Sequence, residues 1–145
     1  MLTKATEYAI RAMVYIALKN MEEQRPGYRE IAREIEAPEH FTAKILQILV
    51  KQGVLQSAKG RGGGFFCSPD RGPVSIIEII QHIEGLKLFT RCGIGLSRCS
   101  DENPCPIHNE YAVIRNQYQQ MAASTTIQSL ALKIRKGDAV INRLV

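Results

Sequence analysis

Apolar positions recur at helical spacing along most of this chain. Between Thr3 and Lys19, the residues Ala9, Ile10, Met13, Val14, Ile16, Ala17 and Leu18 make one broad face. Lys4, Glu7 and Arg11 occupy the other side, so the segment predicts a helix with one buried flank. Pro26-Gly27 marks a turn. Ile31, Ala32 and Ile35 predict a short helix over Tyr28 to Ile35, broken by Glu36-Ala37-Pro38-Glu39. A further helix is predicted from Glu39 to Gln52, with Phe41, Ile45, Leu46, Ile48, Leu49 and Val50 as its apolar face. Gly53 stops it, as a left-handed C-terminal cap.

The period then changes. Val54 to Ser57 and Gly64 to Ser68 read as strands around Ala58-Lys59-Gly60-Arg61-Gly62-Gly63, a glycine-rich basic tip. Ser75 is placed to cap a helix from Ile76 to Glu84 that Gly85 ends. Leu86 to Pro106 lacks periodicity and reads as a loop. A longer helix is predicted from Ile107 to Ala123, with Ala112, Val113, Ile114, Tyr118 and Met121 lining part of one face. Thr125 is expected to cap a last helix, Ile127 to Arg135, and Gly137 to Val145 to form a poorly ordered tail.

Two short helices with a tight break, followed by two strands with a basic tip, describe a winged helix. The expected fold class is mainly α with a small β-wing: a winged helix-turn-helix DNA-binding domain plus a long dimerisation helix. The expected division is 1–85 for the winged domain, 86–106 for a cysteine loop, 107–136 for the dimerisation and C-terminal helices, and 137–145 for the tail. The long helix follows a module that is already complete. Its stripe is therefore expected to meet its counterpart in a second subunit, giving a two-fold dimer suited to a palindromic site on double-stranded DNA.

Composition narrows this reading. The chain has 145 residues, 45% of them hydrophobic and 23% charged, which fits one folded domain with an appendage and excludes disorder. No apolar run approaches the roughly 18 residues of a membrane span, and no signal-peptide block opens the chain, so a cytoplasmic location without membrane partners is expected. The net charge of +5 permits a polyanionic partner. Its placement is more telling: from Ala37 to Arg71 the balance is +3, with Lys44, Lys51, Lys59, Arg61 and Arg71 against Glu39 and Asp70. The following stretch to Glu110 is slightly acidic.

The candidate chemistry lies in Cys92, Cys99 and Cys105, followed by His108, at a spacing of C-x6-C-x5-C-x2-H. Thiolates are soft ligands suited to iron–sulfur clusters, zinc and copper(I). Structural zinc favours closely paired cysteines, which these are not. An iron–sulfur cluster, another metal, thiol redox switching and inert cysteines all remain open on spacing alone. Arg91 and Arg98 are positioned to lower the thiol pKa values. Cys67 reads as a buried strand cysteine. The glycine run fits neither phosphate-loop fingerprint, and no paired carboxylates, Ser-His-Asp pattern or C-x-x-C supports an enzyme.

The chain resembles the Rrf-type winged-helix regulators. Leu2-Thr3-Lys4-Ala5-Thr6-Glu7-Tyr8-Ala9-Ile10-Arg11-Ala12-Met13 is similar to that family's first helix, and Lys59-Gly60-Arg61-Gly62-Gly63-Gly64-Phe65 to its wing. The three cysteines fall where cluster-binding members carry theirs. The resemblance implies a homodimeric transcriptional regulator, in the main a repressor. Its DNA affinity is gated by an iron–sulfur cluster, 2Fe–2S or 4Fe–4S, that senses nitric oxide, redox stress or cluster status. Cys92, Cys99 and Cys105 are the implied ligands. The fourth is His108, as in the IscR-like pattern, or Glu7 from the partner subunit, as in NsrR-like members. The metal-free, thiol- or ligand-responsive CymR-like branch is the alternative. For DNA, the recognition helix implies His40, Phe41, Thr42 and Lys44, with Lys51 at its far end. Lys59 and Arg61 serve from the wing, and Tyr28 and Arg29 anchor the phosphate backbone.

Overall fold

A computed structural model describes residues 2–142. Its elements are α1 (Lys4–Met21), α2 (Tyr28–Glu34), α3 (Glu39–Lys51), β1 (Gln56–Ala58), β2 (Gly64–Phe66), α4 (Ile76–Ile83), α5 (His108–Ser124) and α6 (Ile127–Arg135), with 3-10 turns at Pro69–Arg71 and Lys87–Phe89. The apolar face of α1 is the centre of the core. Met13 and Ile16 are fully buried there, packed with Ile31, Ile35, Leu46, Leu49, Val54, Leu55 and Ile79. Each such side chain contributes about 1.5–3 kcal/mol relative to exposure. α6 closes the same core with Ile127 and Ala131. A smaller cluster of Ile76, Ile80, Phe89 and Ala122 docks α5 on α4. Among the described residues, no helix is long and apolar enough to cross a membrane.

Polar contacts fix the angles between helices. Arg11 Nη1 donates to the Ile35 carbonyl at 2.7 Å, and Tyr15 Oη to Glu30 Oε2 at 2.9 Å, so α1 holds both ends of α2. Thr3 caps α1 by accepting from Thr6 N, and Ser75 caps α4 by accepting from Glu78 N, as expected. At the other end of α4, Glu84 Oε2 accepts from Thr3 N at 3.0 Å and from Thr6 Oγ1 at 2.5 Å. Burial works against ionisation of Glu84, but these donors outweigh it and hold its carboxyl below the ordinary range.

β1 and β2 pair antiparallel, with Gln56 opposite Phe66, Ser57 opposite Phe65 and Ala58 opposite Gly64. The first strand begins later than expected because Val54 and Leu55 are drawn into the core. The wing is seated on the chain before α2, where Phe65 N donates to the Pro26 carbonyl at 2.9 Å. Gly64 makes this approach possible: at φ +142° a side chain there would meet the Arg25 carbonyl.

Two expectations change at the C-terminal side. Thr126, not Thr125, caps α6, in a reciprocal box with Ser129. Thr125 is held back because its N–H still donates to Met121 and closes α5. Nor is the tail wholly loose. Ile141 packs on the core and Asn142 Nδ2 donates to Glu34 Oε2 at 3.2 Å; residues 143–145 lie outside the described residues. The starts of α4 and α6 are stitched together by Ile76 N to the Thr125 carbonyl (3.0 Å) and Ile127 N to the Val74 carbonyl (2.8 Å).

Candidate functional site

Thr42, Ile45, Leu46 and Leu49 turn α3 inward. That leaves His40, Phe41, Lys44, Gln47, Ile48 and Lys51 exposed at helical spacing, a single outward stripe. Thr42 was expected at the DNA surface. It is 1% exposed, because it shares the inward row of Ile45 and Leu49, and its Oγ1 has no hydrogen-bond partner among the described residues. Ile48 moves the opposite way: expected on the apolar face, it is 41% exposed. Gln47 and Ile48 therefore join the stripe. Phe41 does double duty, its ring edge-on to Tyr8 at 5.8 Å and the remainder open.

Lys59 and Arg61 are exposed at the wing tip. Arg25, which sequence reasoning passed over, stands at the wing base with its guanidinium 3.9 Å from the Phe66 ring centre. At the start of α2, Tyr28 is half-buried against the core, while Arg29 is exposed and pairs with Glu39 at 3.8 Å across the helix-turn-helix.

The loop before α5 folds the three cysteines together. Ser100 and Asn103 bond each other's backbones at 3.1 and 3.2 Å, and Asn103 Nδ2 reaches the Arg98 carbonyl at 3.4 Å. This turn returns Cys105 to Cys99, whose sulfur accepts from Cys105 N at 3.4 Å. Cys92 Sγ and Cys105 Sγ are 3.6 Å apart, and the three sulfurs lie within 4.8 Å of one another. The backbone N–H of Ile94 is the main cause of a Cys92 thiol lowered to about 7, burial opposing and Leu96 N–H adding to it. Burial pushes Cys105 up. The role expected of Arg91 and Arg98 thus passes to the loop's own backbone. Soft sulfurs converging under backbone donors fit an iron–sulfur cluster or a single soft metal ion.

His108 opens α5 beside them. Its Nδ1 is 3.1 Å from Cys99 Sγ and its Nε2 is 2.8 Å from Asp101 Oδ1. Glu7 does not join the cysteines within the subunit; it pairs with Lys4 at 3.1 Å on α1. Cys67, expected as a buried strand cysteine, is half-buried and follows the end of β2, where the chain has left the ladder and its N–H turns to Asn20 Oδ1; partial burial raises its thiol to about 11 against the opposing pull of Arg71.

Along α5 the residues Ile107, Tyr111, Ile114, Tyr118 and Met121 follow one another at alternating four- and three-residue steps, beginning at its N-cap. Tyr118 packs back on Phe89 at 5.7 Å, while Val113, Ile114 and Met121 are 57%, 63% and 44% exposed. Ala122 is the one buried residue of this helix among those described.

Comparison with known proteins agrees with this picture. The Rrf2 family, described as iron-dependent transcriptional regulators, matches residues 2–133. A protein of Aquifex aeolicus named as an HTH-type transcriptional regulator is 31% identical over 125 residues, covering 85% of each chain. The HTH-type transcriptional repressor NsrR of Streptomyces coelicolor is 28% identical over 106 residues, covering 73% of this chain and 67% of its own. Among solved structures, CymR, the global cysteine regulator of B. subtilis, superposes with a TM-score of 0.72 at 23% identity. It covers 91% of this chain and 96% of its own, a likeness of fold.

Proposed function

The chain belongs to the Rrf2 family of DNA-binding transcriptional regulators, and from that footing we propose a repressor whose operator affinity is set by an iron–sulfur cluster on Cys92, Cys99 and Cys105. The observation that carries this reading is the convergence of three sulfurs within 4.8 Å in a loop that leads directly into α5. Thiolates held by backbone N–H groups suit an iron–sulfide core, and an imidazole nitrogen faces the same group. His108 is the fourth ligand in this reading, and Glu7 of a partner subunit the alternative. Such a cluster, 2Fe–2S or 4Fe–4S, supplies iron that nitric oxide and oxidants attack.

The protein's own residues do the rest. The outward stripe of α3, with His40, Phe41, Lys44, Gln47, Ile48 and Lys51, enters the major groove. Lys59 and Arg61 reach phosphates or the minor groove from the wing, and Arg25 follows them at its base. Tyr28 and Arg29 anchor the backbone. Exposed Ile114 and Met121 on α5 meet the same helix of a second copy, so that two winged units read a palindrome. In this arrangement 1–85 reads DNA, 86–106 holds the cluster and 107–136 carries the dimer contact.

A second reading rests on the 3.6 Å between Cys92 and Cys105 sulfurs. With no metal bound, these thiols are one small movement from a disulfide, the CymR-like alternative of thiol sensing.

Purification without oxygen tests the choice. A coloured protein carrying iron and acid-labile sulfide supports the cluster. Gel shifts of the loaded and metal-free forms then test the gate, and equal operator affinity in both would remove it. A protein that stays colourless after reconstitution leaves the thiol reading.

A further inference from the structure

Two side chains of α5, one helical turn apart, hold the backbone on either side of Cys92. Arg115 Nη1 donates to the Arg91 carbonyl at 2.9 Å and to the Thr90 carbonyl at 3.4 Å. Tyr111 lies flat against Gly93: a Cβ added there would sit 2.7–2.9 Å from three carbons of the ring. Gly93 has no left-handed φ, so its lack of a side chain answers to the ring and not to the backbone. Arg115 Nε is buried without a partner among the described residues. The hydrogen bonds of this guanidinium among the described residues are therefore those of Nη1 to the loop.

We propose that Arg115 and Tyr111 are positioning residues that tie the Cys92 arm of the cysteine loop to α5, so that a change in the group held by the three sulfurs is passed to that helix. The inference rests on the cluster reading above for its signal, but the tie itself is made within one subunit. His108 joins the Cys99–Cys105 arm to the first turn of α5. Tyr111 and Arg115 give the Cys92 arm its contact with α5, beside the 3.6 Å approach of its sulfur to Cys105. Both arms of the loop therefore report to one helix, at positions 108, 111 and 115.

The test uses the whole protein with Arg115→Ala, Arg115→Lys, Gly93→Ala and the pair Gly93→Ala with Tyr111→Ala. Three quantities are read: iron release to a ferrous chelator, the ratio of operator affinities of loaded and metal-free forms, and hydrogen exchange of the metal-free protein over residues 90–99. Arg115→Ala is expected to speed iron release roughly tenfold, as loss of a supporting contact does around bound metals. It is also expected to bring the affinity ratio towards one while the metal-free protein still binds DNA. Arg115→Lys keeps the charge but loses the planar fork, and should rescue little. Gly93→Ala should raise exchange over 90–99, and Tyr111→Ala should relieve it by removing the ring, a non-additive pair. Wild-type iron release, affinity ratio and exchange in both Arg115→Ala and Gly93→Ala would overturn the proposal. Wild-type protein that takes up no iron fails the cluster reading instead. Faster 90–99 exchange in Arg115→Ala would still establish the tie in that case, and unchanged exchange would overturn it.

Discussion

Nε2 of His108 lies 2.8 Å from Oδ1 of Asp101, and this contact decides which ring nitrogen faces the cysteines. An ionised carboxylate only accepts, so in the neutral ring Nε2 carries the proton and Nδ1 turns a lone pair to Cys99. That is the tautomer a metal-binding histidine needs. Asp101 is fully solvent-facing, with its side chain 99% exposed, so removing it costs the fold little. Asp101→Ala is expected to release iron on the order of 10-fold faster, with an unchanged thermal midpoint. If Glu7 of the partner is the ligand, Asp101→Ala releases iron at the wild-type rate and Glu7→Ala does not.

Lys59 and Arg61 protrude from the wing, and neither is ion-paired among the described residues. Replacing either with Ala should weaken operator and non-operator DNA by similar factors. The slope of log affinity against log salt should become shallower by about 0.9 per residue. Titrations at several salt concentrations measure it. Gln47→Ala, on the recognition stripe, should instead lower affinity for the operator alone.

Cys67 should be the chemically silent cysteine. With its thiol at about 11, only roughly one molecule in a thousand is thiolate at pH 8. Alkylation of the native protein followed by peptide mass spectrometry is expected to modify Cys67 far more slowly than Cys92, and faster once denaturant is added. Native labelling at Cys67 as fast as at Cys92 would contradict the raised thiol pKa.

Glu84 makes part of the stability acid-sensitive. Its folded pKa is held below the unfolded value, so its contribution is complete above the unfolded carboxylate range and is lost as pH falls through the folded pKa. Thr6→Val removes a donor at 2.5 Å and should flatten that part of the profile. Urea midpoints of the two proteins, measured from neutral to acid pH, should converge as the pH drops.

Ile114 is 63% exposed on α5. Ile114→Lys should yield monomers by sedimentation while leaving the helical circular dichroism unchanged, since the residue buries little within its own subunit. A variant that remains dimeric would move the subunit contact elsewhere.

Much of this architecture is legible in the sequence. The helices of the winged unit carry strong apolar periodicity, and glycine or serine marks several of their ends. What local pattern could not supply was the direction of individual side chains. Ile48 and Thr42 exchange places because α3 presents its inward row to α1 and α2, a choice made by packing. The spacing 40, 41, 44, 47, 48, 51 holds that information, but hydrophobicity alone places Ile48 in the core. In the cysteine loop the ligand types were plain. Asp101 was not, being one exposed acid in a polar stretch until the turn at Ser100–Asn103 carried it to His108. Arg25, Tyr111 and Arg115 left no mark in the sequence, because their partners are a ring, a glycine and two carbonyls far along the chain.

The stitch between Val74–Ile76 and Thr125–Ile127 gives α5 the geometry of a lever. Its fulcrum is the paired backbone at Thr125, and its free end is His108. The 17 residues between them span about 25 Å. On an arm of that length, a shift of about 2 Å at the histidine end is a turn of roughly 5° at the fulcrum. In the function proposed above, events around the sulfurs reach the winged half as a small rotation, geared down by the helix that carries them.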